Sequence, residues 1–410
     1  MSSIPGIKID SKRLASRLEK FAQFGATQGG GIHRTALSPN HLRARKHLLD
    51  VAREHGWPTA IDSIGNIYVT RPGSEADAAP LAVGSHLDSQ PNGGRFDGTY
   101  GVVAGLEALE ALDEADASTR RGVVLVDWMN EEGARFAPSL MGSMVRAGVL
   151  SLDTALAATD SDGLTVGENL KQWLPLPQGK VPTQFHAYIE LHIEQGPILE
   201  DRGAVIAVVE GVQGITQFDI SLTGRAAHAG TTPTANRRDA LVAAGKLVVA
   251  CDEAALSDPD LRLTVGDLRV EPGARNVVPS HATLKIDLRH PQRQHQLSWT
   301  QHVIDAASKI AAASGLEVSI VEHMDQQPTV FHPNIRQAVQ RAAQAHGYSP
   351  ELLFSGAGHD AVPISSTCPT GMIFIPCVDG VSHAEDEAIT DEWAVSGAQV
   401  LLTSVLELSQ

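Results

Sequence analysis

The chain has 410 residues with a hydrophobic content of 42% and 37 glycines, which is typical of a soluble two-domain α/β protein and argues against a disordered or fibrous chain. The formal net charge of −16 argues against nucleic acid or an anionic membrane as the partner, since both bind basic surfaces. Three widely spaced cysteines without a CxxC pair, and no apolar segment of signal-peptide or membrane-span length, predict a cytoplasmic protein that acts on small molecules.

The first 130 residues predict helices alternating with strands, as in a parallel, doubly wound sheet. Their apolar spacing predicts helix 9–24, helix 41–55, strand 65–70, strand 81–85, helix 101–112 and strand 122–128. A glycine-rich loop over residues 24–38 is either the rim of an active site or only a connection, and we favour the connection. A polar helical stretch to about residue 170, a proline-rich loop over 174–182 and a strand over 185–191 follow.

From about residue 214 the order of the predicted elements changes. Strand, helix, strand, strand, helix and strand are predicted over 216–223, 235–252, 262–270, 282–289, 297–314 and 316–322. This βαββαβ order is the ferredoxin-like arrangement, a self-contained unit that can be inserted into another domain. After it a helix over 334–346, a glycine-rich turn, a strand over 371–376 and a last helix from Asp391 resume the first domain.

We therefore predict an α/β fold in which a doubly wound, mostly parallel catalytic domain is interrupted by an inserted ferredoxin-like domain. The catalytic domain spans residues 1–213 and 329–410, and the inserted domain spans 214–328.

Residues of the metal-ligand type follow four predicted strand ends of the discontinuous domain, and a fifth lies in the loop after the first of these ends. They are His86, Glu131 with Glu132, His192 and His383 at the strand ends, and Asp97 in the loop. Any one of them alone is usually a solvated cap or a core histidine. Solvated caps are a poor explanation for so many residues of this type at one edge of a parallel sheet, because this is the edge where ligands bind. Three imidazoles with carboxylates favour Zn²⁺, with Mn, Co or Ni as alternatives, and a bridging carboxylate allows two metals in one site.

The adjacent Glu131 and Glu132 suit two different roles. One can bind metal while the other stays free as a general base, and the residues alone do not decide which is which. Asp88 lies two residues after His86 on the same face of the strand. We expect the Asp88 carboxylate to accept a hydrogen bond from His86 and to fix the tautomer of that ring.

Several segments together carry a resemblance to a known family. They are GSHLDSQPNGGRFDG, NEEGARFAPSLMGS, ELHIEQGP, GRAAHAGTTP, ARNVVP, and SGAGHDA with GVSH. In order and extent they resemble, over essentially the whole chain, the hydantoinase/carbamoylase family of dinuclear amidohydrolases, which belongs to the clan of aminoacylases and metallo-aminopeptidases. The resemblance implies two divalent metal ions per subunit and Glu131 as the general base. The ligands that it implies are His86, Asp97 as the bridge, Glu132, His192 and His383.

The resemblance also implies a role for the inserted domain, as the lid and the surface of a homodimer. It implies that His228 stabilises the oxyanion in the partner subunit's site and that Asn276 and Arg289 bind the substrate. On residue chemistry alone, Arg289 is as well explained by a surface strand end as by a clamp that holds a carboxylate through two hydrogen bonds.

Further positions resemble those that contact the ureido group of the substrate. They are Gln195, Gly356 and Gly358. His359 and Asp360 lie in the same turn. A structural role is the alternative for both, and they are not included among the predicted site residues. After His383, the residues Ala384 to Asp386 stand where an Asn-Pro pair is common in the family, which affects the rim and no catalytic residue.

The function that the resemblance implies is hydrolysis of an N-carbamoyl-L-amino acid to the amino acid, ammonia and carbon dioxide. Allantoate amidohydrolase and β-ureidopropionase activities are the alternatives within the family. A metallo-dipeptidase or aminoacylase would keep the metal ligands, but the GARF and HIEQ segments argue against it. A non-catalytic binding protein on the same scaffold would be expected to lack a ligand or the base, and neither is missing.

Overall fold

The computed structural model describes residues 6–171, 173 and 179–410. Residues 174–178 of the predicted proline-rich loop lie outside the described residues. The chain divides into two compact units. The first consists of the residues up to Glu210 together with Val330–Gln410, and the second is the continuous segment Gly211–Thr329.

The helices and strands are numbered here in chain order. The helices are α1 (Ser11–Ala22), α2 (Pro39–Glu54), α3 (Thr99–Glu114), α4 (Met141–Arg146), α5 (Leu152–Ala157), α6 (Val166–Lys171), α7 (Ile198–Asp201), α8 (Ala240–Ser257), α9 (Arg293–Ala313), α10 (Pro333–Ala345), α11 (Ala361–Ile364) and α12 (Asp391–Leu408). The strands are β1 (Thr59–Ile61), β2 (Ile67–Arg71), β3 (Leu81–His86), β4 (Val123–Trp128), β5 (Ala187–Ile193), β6 (Ala207–Val212), β7 (Gly214–Thr223), β8 (Ala227–His228), β9 (Arg262–Glu271), β10 (Val277–Val278), β11 (His281–His290), β12 (Glu317–Gln326), β13 (Thr329–Val330), β14 (Glu351–Ser355) and β15 (Thr370–Ile375).

The first unit is built on a mixed sheet with the order β1-β2-β4-β3-β5-β15-β6-β13, in which β14 also pairs with β6. The central strands β4, β3, β5 and β15 are parallel. Every residue of these strands is buried, as expected for a sheet covered on both faces. Strands β1, β2 and β6 pair antiparallel toward the edges. The carboxyl ends of the parallel strands therefore meet at one edge, where the site lies.

One glycine in β3 is required by the close approach of the neighbouring strand. Gly84 has φ +148°, and a Cβ there would lie 2.0 Å from the backbone oxygen of Val126 in β4. A side chain at this position would push apart the two strands that end in the predicted ligands.

A buried ion pair ties α2 to the sheet. The Nε of Arg45 lies 2.6 Å from Oδ2 of Asp127 in β4, and neither side chain is exposed to solvent. The same guanidinium donates to the carbonyl oxygen of Gly65. Since both charges are removed from water, each depends on the other for compensation.

The second unit is a four-stranded antiparallel sheet with the order β12-β7-β11-β9. Its elements follow the predicted order, strand β7, helix α8, strands β9 and β11, helix α9 and strand β12, with the short β8–β10 ribbon in addition. Alternate residues of β7 and β11, among them Phe218, Ile220 and Leu284, form one core with buried residues of the two helices. This unit and the largely parallel sheet confirm the predicted fold class.

Several boundaries differ from the prediction for local reasons. Helix α8 begins at Ala240 instead of 235, because the Asp239 side chain caps it by accepting hydrogen bonds from the N–H groups of Leu241 and Val242. Strands β1, β6, β13 and β14 were not predicted, since such strands toward the edges of the sheet depend on pairing with their neighbours more than on their own sequence. Within the described part of the chain, no helix has both the length and the apolar character needed to cross a bilayer.

The buried ion pair gives a test of stability. Replacing Arg45 by Met leaves Asp127 buried without its partner, and we expect the free energy of unfolding to fall by about 3 kcal/mol or more. Lys46→Met on the same helix is the control, because Lys46 pairs with Asp50 at the surface with its side chain 71% exposed. That change should cost about 0.5 kcal/mol or less. Urea unfolding followed by circular dichroism measures both, and equal losses would contradict the assigned role of the buried pair.

Candidate metal centre

The predicted ligands meet at the carboxyl edge of the parallel strands. His86 ends β3, the two adjacent glutamates follow β4, and His192 lies at the end of β5. His86 and His192 are each 1% exposed, whereas the side chain of His383, in the loop after β15, is half exposed. A parallel sheet thus gathers, from distant parts of the sequence, side chains that no local segment could bring together.

The carboxylate of Asp97 lies at the centre of the cluster. Its Oδ1 is 3.4 Å from Nε2 of His86 and 3.1 Å from Nε2 of His192. Its Oδ2 is 3.2 Å from Nε2 of His383, which lies 3.5 Å from Oε2 of Glu132. Two groups of possible metal ligands result, and they share Asp97. One carboxylate with an oxygen directed to each group is suited to bridge two cations.

The loop that carries Asp97 depends on the glycine that follows it. Gly98 has φ +61°, and a Cβ at this position would lie 2.3 Å from Nε2 of His86. The left-handed backbone and the close approach to the imidazole both require glycine. The pairing of the Asp97 carboxylate with His86 therefore rests on a residue without a side chain.

Asp88 holds the two glutamates through its carboxylate and the tautomer of His86 through its backbone carbonyl group. Its Oδ1 and Oδ2 accept hydrogen bonds from the backbone N–H groups of Glu131 and Glu132, both at 3.2 Å. His86 Nδ1 lies 2.9 Å from the backbone oxygen of Asp88 and 3.7 Å from its carboxylate. The expected hydrogen bond from His86 is thus made by the carbonyl group of Asp88, because the carboxylate is engaged by the loop after β4.

The electrostatics of the cluster favour a bound cation. Burial, followed by the nearby Asp97, raises the pKa of Glu132 to about 7. Burial also raises the pKa of Glu131 well above its usual value. The hydrogen bond to Asp97 raises the pKa of His383 to about 9. A divalent cation stabilises the ionised form of carboxylates that lie this close together. The three imidazole nitrogens beside them match the donors that Zn²⁺ prefers. The donor set therefore fits the metal ions implied by the sequence.

Gln195 lies inside the cluster. Its φ is +58°. Its Nε2 donates to Oδ2 of Asp97 at 2.8 Å and lies 3.4 Å from Nε2 of His383. Its Oε1 is buried and, among the described residues, has no hydrogen-bond partner. Gln195 therefore offers an acceptor next to the predicted ligands.

The turn after β14 lies beside this cluster. It contains Gly356 and Gly358 and leads to His359, whose ring packs edge-to-face against His192 with 4.6 Å between the ring centroids. Asp360 accepts a hydrogen bond from the Ser143 hydroxyl. His359 thus packs directly on the predicted ligand His192.

The remaining predicted substrate residues belong to the second unit. His228 is exposed, and its Nδ1 accepts from the backbone N–H groups of Gly230 and Thr231 at 3.0 and 3.2 Å. In the neutral ring, Nε2 therefore carries the proton and is a donor. Strands β8 and β10 place His228 opposite Val277, and the carbonyl oxygen of Asn276 accepts from the N–H of Ala229 at 2.9 Å.

Arg289 is held by a carboxylate of its own strand. Its Nε and Nη2 lie 2.8 and 3.1 Å from the two carboxylate oxygens of Asp287, which is two residues earlier on the same face of β11. This pairing fixes the plane of the guanidinium group.

Sequence reasoning missed two residues that support the cluster. Gln90 donates to Oε2 of Glu132 at 2.8 Å, and the buried Glu387 accepts from the backbone N–H of Asp97 at 3.1 Å. Neither was distinguished in the sequence from the polar loop residues around it.

The glycine-rich loop is more than the connection that we favoured. A Cβ on Gly31 would lie 2.7 Å from Cα of Glu385, so the loop packs on the segment that follows His383. The loop also carries Arg34, which is fully buried and donates from Nε to the carbonyl oxygen of Leu87 at 2.6 Å. The composition of the loop does not specify the surface on which it packs, so the sequence alone could not decide between the two interpretations.

Comparisons with known proteins identify the family of the chain. The sequence profile of peptidase family M20/M25/M40 matches residues 82–407. The chain is 40% identical over 408 residues to an N-carbamoyl-L-amino-acid amidohydrolase of Rhizobium meliloti, which covers 98% of this chain and 97% of that protein. It is 32% identical over 400 residues to an allantoate amidohydrolase of Bacillus subtilis, which covers 96% of each. A crystal structure of an amidase of the hydantoinase/carbamoylase family from Burkholderia multivorans has a TM-score of 0.95 and 42% identity, with 99% of each chain covered.

The shared position of Asp97 predicts that two substitutions in the cluster have different effects. Asp97→Ala should lower metal binding in both groups, whereas His86→Ala should weaken one group only. Metal content after equilibration with limiting Zn²⁺, measured by atomic spectroscopy, checks this. His302→Ala, an exposed position on α9, is the control. Equal metal loss from the Asp97 and His86 variants would contradict a bridging role for Asp97.

Proposed function

Since the chain belongs to peptidase family M20/M25/M40, and within it to the hydantoinase/carbamoylase amidases, we propose that it hydrolyses an N-carbamoyl-L-amino acid to the free amino acid, ammonia and carbon dioxide. Family members are metal-dependent, and the chain is a hydrolase that acts on C–N bonds. The observation that carries the proposal is the single carboxylate of Asp97 shared by two groups of metal ligands, with Glu131 beside them.

Two divalent metal ions would be held by this cluster. His86, Asp97 and His192 form one group of ligands, and Asp97, Glu132 and His383 form the other. When bound, such ions polarise the ureido carbonyl group and acidify water. Three imidazoles favour Zn²⁺, and Mn²⁺, Co²⁺ and Ni²⁺ suit the same mixed donors.

Glu131 is the general base in this proposal. Its Oε2 lies 3.5 Å from Nε2 of His86, so the carboxylate is directed into the cluster, while its backbone is fixed by Asp88. Glu131 takes a proton from the attacking water and later delivers it to the leaving nitrogen of the amino acid. The C–N bond breaks at that step, and the carbamic acid released decomposes to ammonia and carbon dioxide.

The second unit supplies the groups that orient the substrate and receive the developing charge. Nε2–H of His228 is a donor suited to the oxyanion, because Nδ1 is occupied by two backbone N–H groups. Arg289, in a plane set by Asp287, and Asn276 bind the substrate carboxylate. Gln195, whose Oε1 has no hydrogen-bond partner in the described part of the chain, and the turn with Gly356 and Gly358 contact the ureido group.

We propose a homodimer formed through the second unit, in which this unit also acts as a lid. Helix α8 presents a row of exposed apolar residues, Val242, Val249 and Leu256, which are 54%, 56% and 81% exposed. A Cβ on Gly245, in the same row, would touch nothing within 4 Å. Strand β9 is an edge of the sheet, and α8 packs against it. An apolar helix face next to an unpaired strand edge suits a second copy of the chain.

The N-carbamoyl substrate is favoured over the alternatives by the higher identity to the carbamoylase of Rhizobium meliloti than to the allantoate amidohydrolase of Bacillus subtilis. Both substrates carry a ureido group and a carboxylate, so the same residues would serve either. β-Ureidopropionase activity, and more distantly dipeptidase activity, are the remaining alternatives.

A substrate panel tests the proposed function. Purified protein loaded with Zn²⁺, Mn²⁺ or Co²⁺ is assayed for ammonium or amine release from N-carbamoyl-L-amino acids, N-carbamoyl-β-alanine, allantoate and a dipeptide. We expect release from the N-carbamoyl-L-amino acids that stops with a chelator and returns when metal is added back. N-carbamoyl-D-amino acids are the matched control. No metal-dependent release from any ureido compound would refute the proposal.

A subunit-complementation experiment tests the roles of Glu131 and His228. Glu131→Gln and His228→Ala homodimers should each lose about 100-fold or more in kcat with metal content retained. Heterodimers made by co-expression with two affinity tags contain one site with both native groups if His228 acts in the partner subunit. They should regain roughly half of the native activity. Inactive heterodimers would show that His228 acts in the site of its own subunit. A fully active Glu131→Gln variant would show that Glu131 is not the general base.

A further inference from the structure

Glu387 is a buried carboxylate that the proposed mechanism does not use. It is 3% exposed and lies in the segment after His383. Its Oε1 accepts hydrogen bonds from the backbone N–H groups of Phe96 at 2.8 Å and of Asp97 at 3.1 Å. The carboxylate therefore holds the backbone of the loop that presents the shared ligand.

The other oxygen of the same carboxylate is connected to the second loop. Oε2 of Glu387 accepts from the hydroxyl group of Ser382 at 2.9 Å, and Ser382 directly precedes His383. The Ser382 hydroxyl oxygen also lies 3.1 Å from Oδ2 of Asp97. Glu387 thus links the loop of Asp97 to the loop of His383, two ligands of the same group.

The backbone packs closely around this carboxylate at Gly94. A Cβ on Gly94 would lie 2.0 Å from the carboxyl carbon of Glu387, so a side chain at residue 94 would displace the carboxylate. His383 has φ +56°, a left-handed conformation that a non-glycine residue adopts at a cost. The hydrogen bond from Ser382 to Glu387 fixes the residue that precedes this strained position.

We propose that Glu387 is a positioning residue that orients Asp97 and sets its spacing to His383, and so determines how well the Asp97–Glu132–His383 group binds metal. The inference rests on the proposed function in that it takes this group as a metal site. The physical reason is that the Asp97 carboxylate can serve both groups of ligands only while each of its oxygens stays directed to its own group. Hydrogen bonds from two backbone N–H groups to a buried carboxylate are charge-assisted and fix the loop that sets this direction.

The test uses Co²⁺ as the probe and compares three variants of the full chain. Glu387→Ala removes the acceptor. Glu387→Gln keeps an oxygen that accepts from the N–H groups of Phe96 and Asp97. Asp386→Ala is the matched control, since Asp386 is the exposed neighbour in the same segment. Titration is followed by the visible absorption bands of bound Co²⁺, and circular dichroism and thermal melting establish that each variant is folded.

We expect the affinity for one of the two Co²⁺ ions to fall roughly 10- to 100-fold in Glu387→Ala. Glu387→Gln should recover most of this loss, and Asp386→Ala should match the native chain. Equal Co²⁺ affinity in Glu387→Ala and Asp386→Ala would overturn the inference. A folded Glu387→Gln variant that binds as poorly as Glu387→Ala would also overturn it, because the hydrogen bonds would then not be the cause.

Ser382→Ala provides a second route if Glu387→Ala does not fold. Ser382→Ala removes the hydroxyl group that joins Glu387 to the loop of His383 and should lower the affinity for the same Co²⁺ ion, and a native affinity in this variant would overturn the link through Ser382. Since Co²⁺ binding is read without substrate, an absence of ureido hydrolysis in the native chain defeats the proposed function and leaves this comparison intact. Equal binding by the variants defeats the inference whatever the substrate.

Discussion

The site depends on the carboxylate of Asp97, whose two oxygens contact different histidines. Asp97 lies between two buried imidazoles on one side and the half-exposed His383 on the other, with one oxygen directed to each. Burial alone would raise the pKa of Asp97, but hydrogen bonds from His192, His383 and His86 hold this pKa well below its usual value. An ionised carboxylate in such a position is possible only because the parallel sheet brings the imidazoles to one edge. The fold and the chemistry are therefore connected through this residue.

Much of the cluster could be predicted from the sequence because its members follow apolar strands at positions that topology brings together. His86, His192 and the two glutamates stand at or just after strands whose residues are all buried, and such strands are easily recognised. The supporting residues were harder to predict. Glu387 has its partners about 290 positions away in the sequence, in a loop whose path no local pattern specifies.

Two other differences between prediction and structure have the same physical origin. Asp88 was expected to bond His86 through its carboxylate, but the N–H groups after β4 compete for that carboxylate and the carbonyl takes its place. The composition of the glycine-rich loop indicates a flexible connection. It does not specify the surface on which the loop packs. In both cases the outcome depends on a neighbour that is distant in the sequence, so propensity and spacing alone could not decide it.

The points at which the second unit joins the first have a consequence for how such proteins diversify. The chain leaves the first unit along β6 and returns along β13, and these strands are neighbours in one sheet, with Phe331 N–H bonded to the carbonyl oxygen of Glu210 at 2.9 Å. Entry and exit thus lie side by side, like the two ends of a hairpin loop. A segment attached in this way can be exchanged as one unit, because both of its ends join the first unit at neighbouring strands. Replacing this segment exchanges the residues proposed to hold the substrate's carboxylate and leaves the proposed metal ligands of the recipient chain unchanged.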